Sequence, residues 1–201
     1  MKHVCIRVGT LFAVMLAPSL FCGLMAAERQ AKEPLEKNPE NIKTVRVLAE
    51  QGNASAQCFL GNAYFEGKGV PQNYVEAVKW WDKASKQGYA HAQSMLANAY
   101  HKGIGVPKDY GKSIKIYRSL AEAGDAHGQA MLSDAYTDGK GLPLDFVEAY
   151  KWIILAIATT GDETKIKFRD AILLKLTPEQ IAEGQKRAAE FKPKKSQPAN
   201  T

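Results

Sequence analysis

Cysteine is scarce in this chain, and its placement excludes more than its number does. Of three cysteines in 201 residues, Cys5 and Cys22 lie in the apolar N-terminal stretch. Cys58 stands alone beyond it, so no intrachain disulfide can staple the rest of the chain. Histidine is nearly as rare, with four in all. Gly-x-Ser-x-Gly, His-Glu-x-x-His and Cys-x-x-Cys are missing, and no serine heads a Ser-x-x-Lys with supporting motifs. The common signatures of serine hydrolases, zinc proteases and thiol oxidoreductases are therefore absent. Long apolar runs are also missing past the N-terminus. Trp152 to Ala158 is short of the roughly 20 residues that a membrane helix needs.

The N-terminus reads as a targeting segment, residues 1–26. Lys2 and Arg7 give a positive start, Val8 to Leu20 is nearly all apolar, and Leu24-Met25-Ala26-Ala27 offers small-residue cleavage sites. Cleavage is expected after Ala26 or Ala27, delivering a periplasmic or secreted protein of the bacterial envelope. An uncleaved segment would instead anchor the chain, since no charge interrupts Val8 to Ala26. Phe21 before Cys22 argues against lipoprotein processing. Residues 27–41 are polar, carry Pro34 and Pro39, and read as a flexible leader.

Net charge is +6, from 27 basic and 21 acidic residues. Loss of Lys2 and Arg7 with the signal lowers it by two. Much of the remainder sits in Lys186, Arg187, Lys192, Lys194 and Lys195, without interleaved aromatics. A nucleic-acid partner is not expected.

What the chain does have is a pattern that returns every 36 residues. Ala54, Gly61, Tyr64, Gly67, Gly69 and Pro71 are followed by Ala90, Ala97, Tyr100, Gly103, Gly105 and Pro107. The third pass is Ala126, Ser133, Tyr136, Gly139, Gly141 and Pro143. A fixed period of this size marks a stacked array, in which each unit buries its apolar face only against its neighbours.

The units run 53–88, 89–124 and 125–161. Each reads as two helices joined by a glycine-rich turn. Glycines two apart permit left-handed backbone, and the proline stops the first helix. Asn73, Asp109 and Asp145 occupy one repeat position and cap the second helix, with Glu76 and Glu148 placed as a capping box prefers. Tyr74, Ala77, Val78, Trp81 and Ala84 form its buried stripe in the first unit. Residues 42–52 read as an N-terminal capping helix with Val45, Leu48 and Ala49 buried. Residues 162–191 read as two C-terminal capping helices, and Thr177-Pro178-Glu179-Gln180 starts the second. The tail, 192–201, is expected to be disordered.

The pattern Ala-x-Ala-Gln-x-x-Leu-Gly-x-x-Tyr-x-x-Gly-x-Gly-Val-Pro, followed by Ala-x-x-Trp, resembles the Sel-1-like repeat, a relative of the tetratricopeptide repeat. The resemblance spans Gly52 to Gly161. Gly128 departs from it in place of alanine, and Thr160 replaces the closing glycine. The fold it implies is all-α, a right-handed α-α superhelix of three helix-turn-helix repeats with helical caps. The role it implies is a non-catalytic adaptor for protein complexes. Other readings by analogy are a β-lactamase-like or penicillin-binding repeat protein, or a regulator of an envelope enzyme in peptidoglycan processing or secretion. Repeat proteins of the first kind resemble arrays with paired cysteines in each unit, which this chain lacks.

In tetratricopeptide-like arrays the first helices line a concave surface. The positions expected to face that groove are Ser55, Cys58, Asn62, Phe65 and Glu66 in the first unit. They are His91, Ser94, Asn98, His101 and Lys102 in the second, and His127, Ala130, Asp134, Thr137 and Asp138 in the third. The row Asn62, Asn98 and Asp134 can hydrogen-bond the backbone of an extended peptide without demanding its sequence. The partner expected is a protein or extended peptide. Cys58 is either a small packing residue or a thiol open to the groove. His91 and His127 share a repeat position, which separates them by roughly one helix-pair distance of 10 to 20 Å. Metal ligands must sit about 2 Å from a common ion, so no metal site, cofactor or catalytic residue is expected.

Overall fold

The computed structural model describes residues 39–194. The targeting segment, the leader before residue 39 and the tail from residue 195 lie outside the described residues. Among the described residues there are nine α-helices and no strand: α1 (Pro39–Glu50), α2 (Ala54–Glu66), α3 (Tyr74–Lys86), α4 (Ala90–Lys102), α5 (Tyr110–Glu122), α6 (Ala126–Asp138), α7 (Phe146–Thr160), α8 (Glu163–Leu173) and α9 (Pro178–Ala189). From α1 to α8 each helix packs on its predecessor, and α9 returns to pack on α7. This is an all-α solenoid.

Local chemistry sets the unit. The first helices end at Gly67, Gly103 and Gly139, all left-handed, whose amides bond the carbonyls of Ala63, Ala99 and Ala135. The second glycine of each turn is left-handed as well, at φ +72, +70 and +82° for Gly69, Gly105 and Gly141. A β-carbon on Gly105 would run into the carbonyl of Tyr74. The turn of one unit thus rests on the start of the preceding unit's second helix. That helix is capped as expected: the Asn73 carboxamide oxygen accepts from the Val75 and Glu76 amides at 3.1 Å, Asp145 from Val147 and Glu148 at 3.0 Å, and Asp109 from Lys112 at 2.9 Å. The reciprocal half of the box does not form. Glu76 pairs with Lys79 at 2.7 Å, and Glu148 is drawn to Lys151 at 3.2 Å and Arg187 at 2.8 Å. Among the described residues only Thr177 and Gln180 complete a box.

Successive units are joined by a repeated polar tie. Gln57, Gln93 and Gln129 each donate a side-chain N–H to a carbonyl eight residues back, on Ala49, Ser85 and Ala121, at 3.0, 3.3 and 3.4 Å. These carbonyls belong to the ends of the preceding second helices, where each also accepts the amide of the closing glycine, Gly52, Gly88 or Gly124, at 3.1, 2.9 and 3.0 Å. The apolar core continues from unit to unit. Ile42, Val45 and Ala49 of α1 pack with Leu60 and Ala63; Trp81 packs with Ala92, Leu96 and Ala99; Ile153 packs with Ile172, Phe168 and Leu173. Helix α1 therefore stands where the second helix of an earlier unit would, with Ile42 rather than Leu48 completing its buried stripe.

Two expectations are corrected. Tyr74 is 42% exposed and does not belong to the buried stripe, because it opens α3, where its ring packs on Phe65, ring centres 5.4 Å apart. The tail is ordered at its start. Phe191 packs edge-on against Trp152 at 5.4 Å, and the Lys194 amide donates to the Glu122 carbonyl at 2.7 Å. Lys194 also pairs with the Glu122 carboxylate at 2.7 Å. Trp152 is thus covered by this returning segment. An exposed ion pair adds little, so the apolar Phe191 contact holds the segment down.

Candidate partner-binding face

Helices α2, α4 and α6 carry the equivalent first-helix positions. The structure sorts the sequence candidates on them into three rows and removes one. Ser55, His91 and His127 form an exposed row near the helix starts. Asn62, Asn98 and Asp134 form a half-buried middle row. Phe65, Glu66, His101, Lys102, Thr137 and Asp138 gather near the helix ends. Cys58 and Ser94 do not face a groove: they are 2% and 8% exposed. Both share one repeat position with half-buried Ala130, and there the next unit packs across the helix, with Cys58 in the cluster of Trp81 and Ala92. Burial pushes the Cys58 thiol up to about 11. Native-state alkylation of Cys58 is therefore expected to be far slower than in denaturant. A maleimide time course at neutral pH checks this, and rapid native labelling would contradict the burial.

The end row is largely occupied by its own neighbours. Phe65 lies 5.5 Å from Trp81, and His101 packs edge-on against Tyr110 at 5.2 Å. Glu66 pairs with Lys68 at 2.9 Å and Asp138 with Lys140 at 2.7 Å. The Thr137 hydroxyl donates back to the Ser133 and Asp134 carbonyls at 2.9 Å. His127 sits edge-on to Tyr117 at 6.2 Å. Burial, the largest influence on it, moves the half-buried His101 below the usual histidine range.

The middle row has an arrangement that the sequence reading missed. Trp81, read there as a core residue alone, and its counterpart Tyr117 are wedged between consecutive first helices and reach the row from behind. The Trp81 indole N–H donates to Asn62 Oδ1 at 2.9 Å, and the Tyr117 hydroxyl donates to Asn98 Oδ1 at 2.8 Å. An indole has no acceptor, so the Asn62 oxygen must face Trp81 and its NH₂ must face the other way. The indole thereby fixes the Asn62 amide with its NH₂ outward; the Tyr117 hydroxyl, which can also accept, donates to Asn98 in the same arrangement. The signal was present: a carboxamide and an aromatic donor recur 19 residues apart in two successive units. In the third unit the corresponding residue is Ile153, 1% exposed, which has nothing to donate. Ser133 beside it turns its hydroxyl to the Ala149 carbonyl at 2.7 Å. No donor among the described residues reaches the Asp134 carboxylate.

Asp134 is shifted up to about 6, first by burial and then by the neighbouring Asp138, with Lys140 opposing. Its folded value exceeds its unfolded one, so ionisation opposes folding: stability falls as pH rises from about 4 to about 6 and is level above. Asp134→Asn removes that cost. The variant is expected to be more stable than wild type at pH 7 to 8 by on the order of 1 kcal/mol, discounted for solvent screening, with the difference gone below pH about 4. Paired urea melts across this range test it. A variant destabilised at pH 8 would overturn the assignment.

A cavity of about 410 Å³ lies between Trp152, Phe191, Arg187 and Lys194, and one of about 710 Å³ between Gln93, Glu122, Asp125 and Lys194; neither is lined by the three rows. Among the described residues no three His, Cys, Asp or Glu side chains gather as metal ligands, and no helix is long and apolar enough to cross a membrane.

Stacked helix pairs joined by glutamine ties define an α-solenoid. Within it, this chain belongs to the Sel1 repeat family: the family model matches residues 54–89, 90–125 and 126–158. That fold typically mediates protein–protein interaction and generally serves as a non-catalytic scaffold. Among solved structures, a protective antigen of uropathogenic Escherichia coli with an SLR fold is 30% identical, with a TM-score of 0.73 over 83% of this chain. The chain spans 36% of that antigen's length. A Sel1 repeat protein from Oxalobacter formigenes is also 30% identical, with a TM-score of 0.66 over 84% of this chain and 72% of its own. No match is found among curated proteins.

Proposed function

We propose that this protein is an exported adaptor of the bacterial envelope, periplasmic or secreted, that holds an extended peptide or partner loop along its first helices. The carrying observation is the pair of fixed amides. Asn62, held by an indole that can only donate, and Asn98, which accepts from the Tyr117 hydroxyl, both use their oxygens inward, which leaves their N–H groups to donate to backbone carbonyls at one-repeat spacing. Few apolar side chains stand in the three rows, and Phe65 is already packed on Trp81. A helical partner needs apolar anchors, so an extended one fits better.

The test reverses the outward donors while keeping the internal bonds. Asn62→Asp with Asn98→Asp retains an acceptor for Trp81 and Tyr117 but turns each outward NH₂ into an oxygen. In a crosslinking pull-down from envelope and culture-medium extracts, a partner held by the wild type is expected to be lost by this variant, with helical circular dichroism unchanged. Equal capture by both proteins would move binding away from the row.

A further inference from the structure

We propose that Asp134 is the specificity anchor of this face and takes a lysine or arginine side chain from the extended partner. This rests on the adaptor reading and adds the chemistry that sets the partner's register. The middle row is periodic in position and not in polarity. Its first two members are amides whose oxygens are consumed by Trp81 and Tyr117, so they offer donors. The third is a carboxylate at the same place, and Ile153 stands where its donor would be. The row therefore reads donor, donor, acceptor from the first unit to the third.

A half-buried carboxylate that no protein donor reaches has lost part of its water shell without a substitute for it. Bringing a cation or an N–H group to it recovers what folding removed, and charge-assisted hydrogen bonds are about twice as strong as neutral ones. The charged groups around it do not perform that task. Asp138 is a like charge, and Lys140 is held by Asp138 at 2.7 Å. Tyr117 faces Asp134 from α5, but its hydroxyl proton is given to Asn98. On α6 the Thr137 hydroxyl bonds main-chain oxygen only. A backbone amide would fit the geometry equally well, whereas the charge favours an ammonium or guanidinium. A partner lying with its carbonyls over Asn62 and Asn98 would place one basic residue over Asp134.

The test is a random linear-peptide phage library panned against the full-length wild type and against Asp134→Asn. Peptides selected by the wild type are expected to share a lysine or arginine at one fixed offset, and those selected by Asp134→Asn to lack that preference. A fluorescent copy of the best peptide should bind Asp134→Asn about tenfold or more weakly. Replacing its basic residue by norleucine should weaken binding to the wild type similarly and leave binding to Asp134→Asn unchanged. The double substitution Ser133→Ala with Ile153→Tyr, which copies the second unit's pairing, should also remove the preference by supplying an internal donor. Selected peptides with no basic residue, or a preference that survives in Asp134→Asn, would overturn the anchor while Asn98→Ala still reports on the groove. No selected peptide, or binding indifferent to both Asn98→Ala and Asp134→Asn, would overturn the adaptor reading and the anchor together.

Discussion

Gly105→Ala is expected to destabilise the fold by roughly 3 kcal/mol or more, the largest effect of any single methyl addition in the turns. Two costs combine. At φ +70° an L-residue is strained by about 1–2 kcal/mol. Its β-carbon would also meet the Tyr74 carbonyl and come within 3.0 Å of the Val75 amide nitrogen, both backbone. Backbone cannot rotate aside as a side chain can, so the second unit must move off the first, at about 1–3 kcal/mol. Gly161→Ala separates the two costs. That glycine is left-handed at φ +62°, but a β-carbon there meets nothing within 4 Å. Its substitution should cost about 1 kcal/mol. Urea unfolding of both variants gives the comparison. Equal losses would show that the turn does not bear on the preceding helix.

Gly61→Ala is expected to cost about 2–3 kcal/mol and to be partly rescued by Trp81→Tyr. A β-carbon at Gly61 would lie 2.5 Å from Trp81 Cδ1 and 3.1 Å from the Ala77 carbonyl oxygen. The indole is 2% exposed and cannot swing away without emptying the interface between α2 and α4. The second unit shows the solution for a smaller ring: Ala97 stands opposite Tyr117, and both are fully buried. Tyrosine at 81 can still donate to Asn62, as Tyr117 does to Asn98. The double variant should recover at least half of the loss of Gly61→Ala. Trp81→Ala alone should cost about 3–5 kcal/mol, since it opens a cavity and strands the Asn62 oxygen. If the double variant is simply the sum of its parts, the two positions are not a complementary pair.

The same comparison across units shows how far the face was legible beforehand. That Asn62, Asn98 and Asp134 share a position follows from the period alone. That Trp81 and Tyr117 belong to the same device does not, because an aromatic in a helical stripe satisfies the requirement for a core equally well. The pairing emerges only when the second helix is seen to pass between two first helices. Gln57, Gln93 and Gln129 stood in the repeat pattern without a role, and their carbonyl partners lie in the preceding unit.

The chain by itself determined the repeat length, the helix pairs and their punctuation. Helical periodicity, N-cap side chains and left-handed glycines act over a few residues and are written locally. What only the tertiary structure decided is which of the nominally outward positions stay outward. Cys58 and Ser94 project between groove positions on their helices, yet the following unit packs across them. Phe191 and Lys194 lie in a polar, basic segment, yet they return to Trp152 and Glu122. In both cases the deciding contact comes from a neighbouring unit or a distant segment, and burial of apolar surface between units outweighs the local pattern.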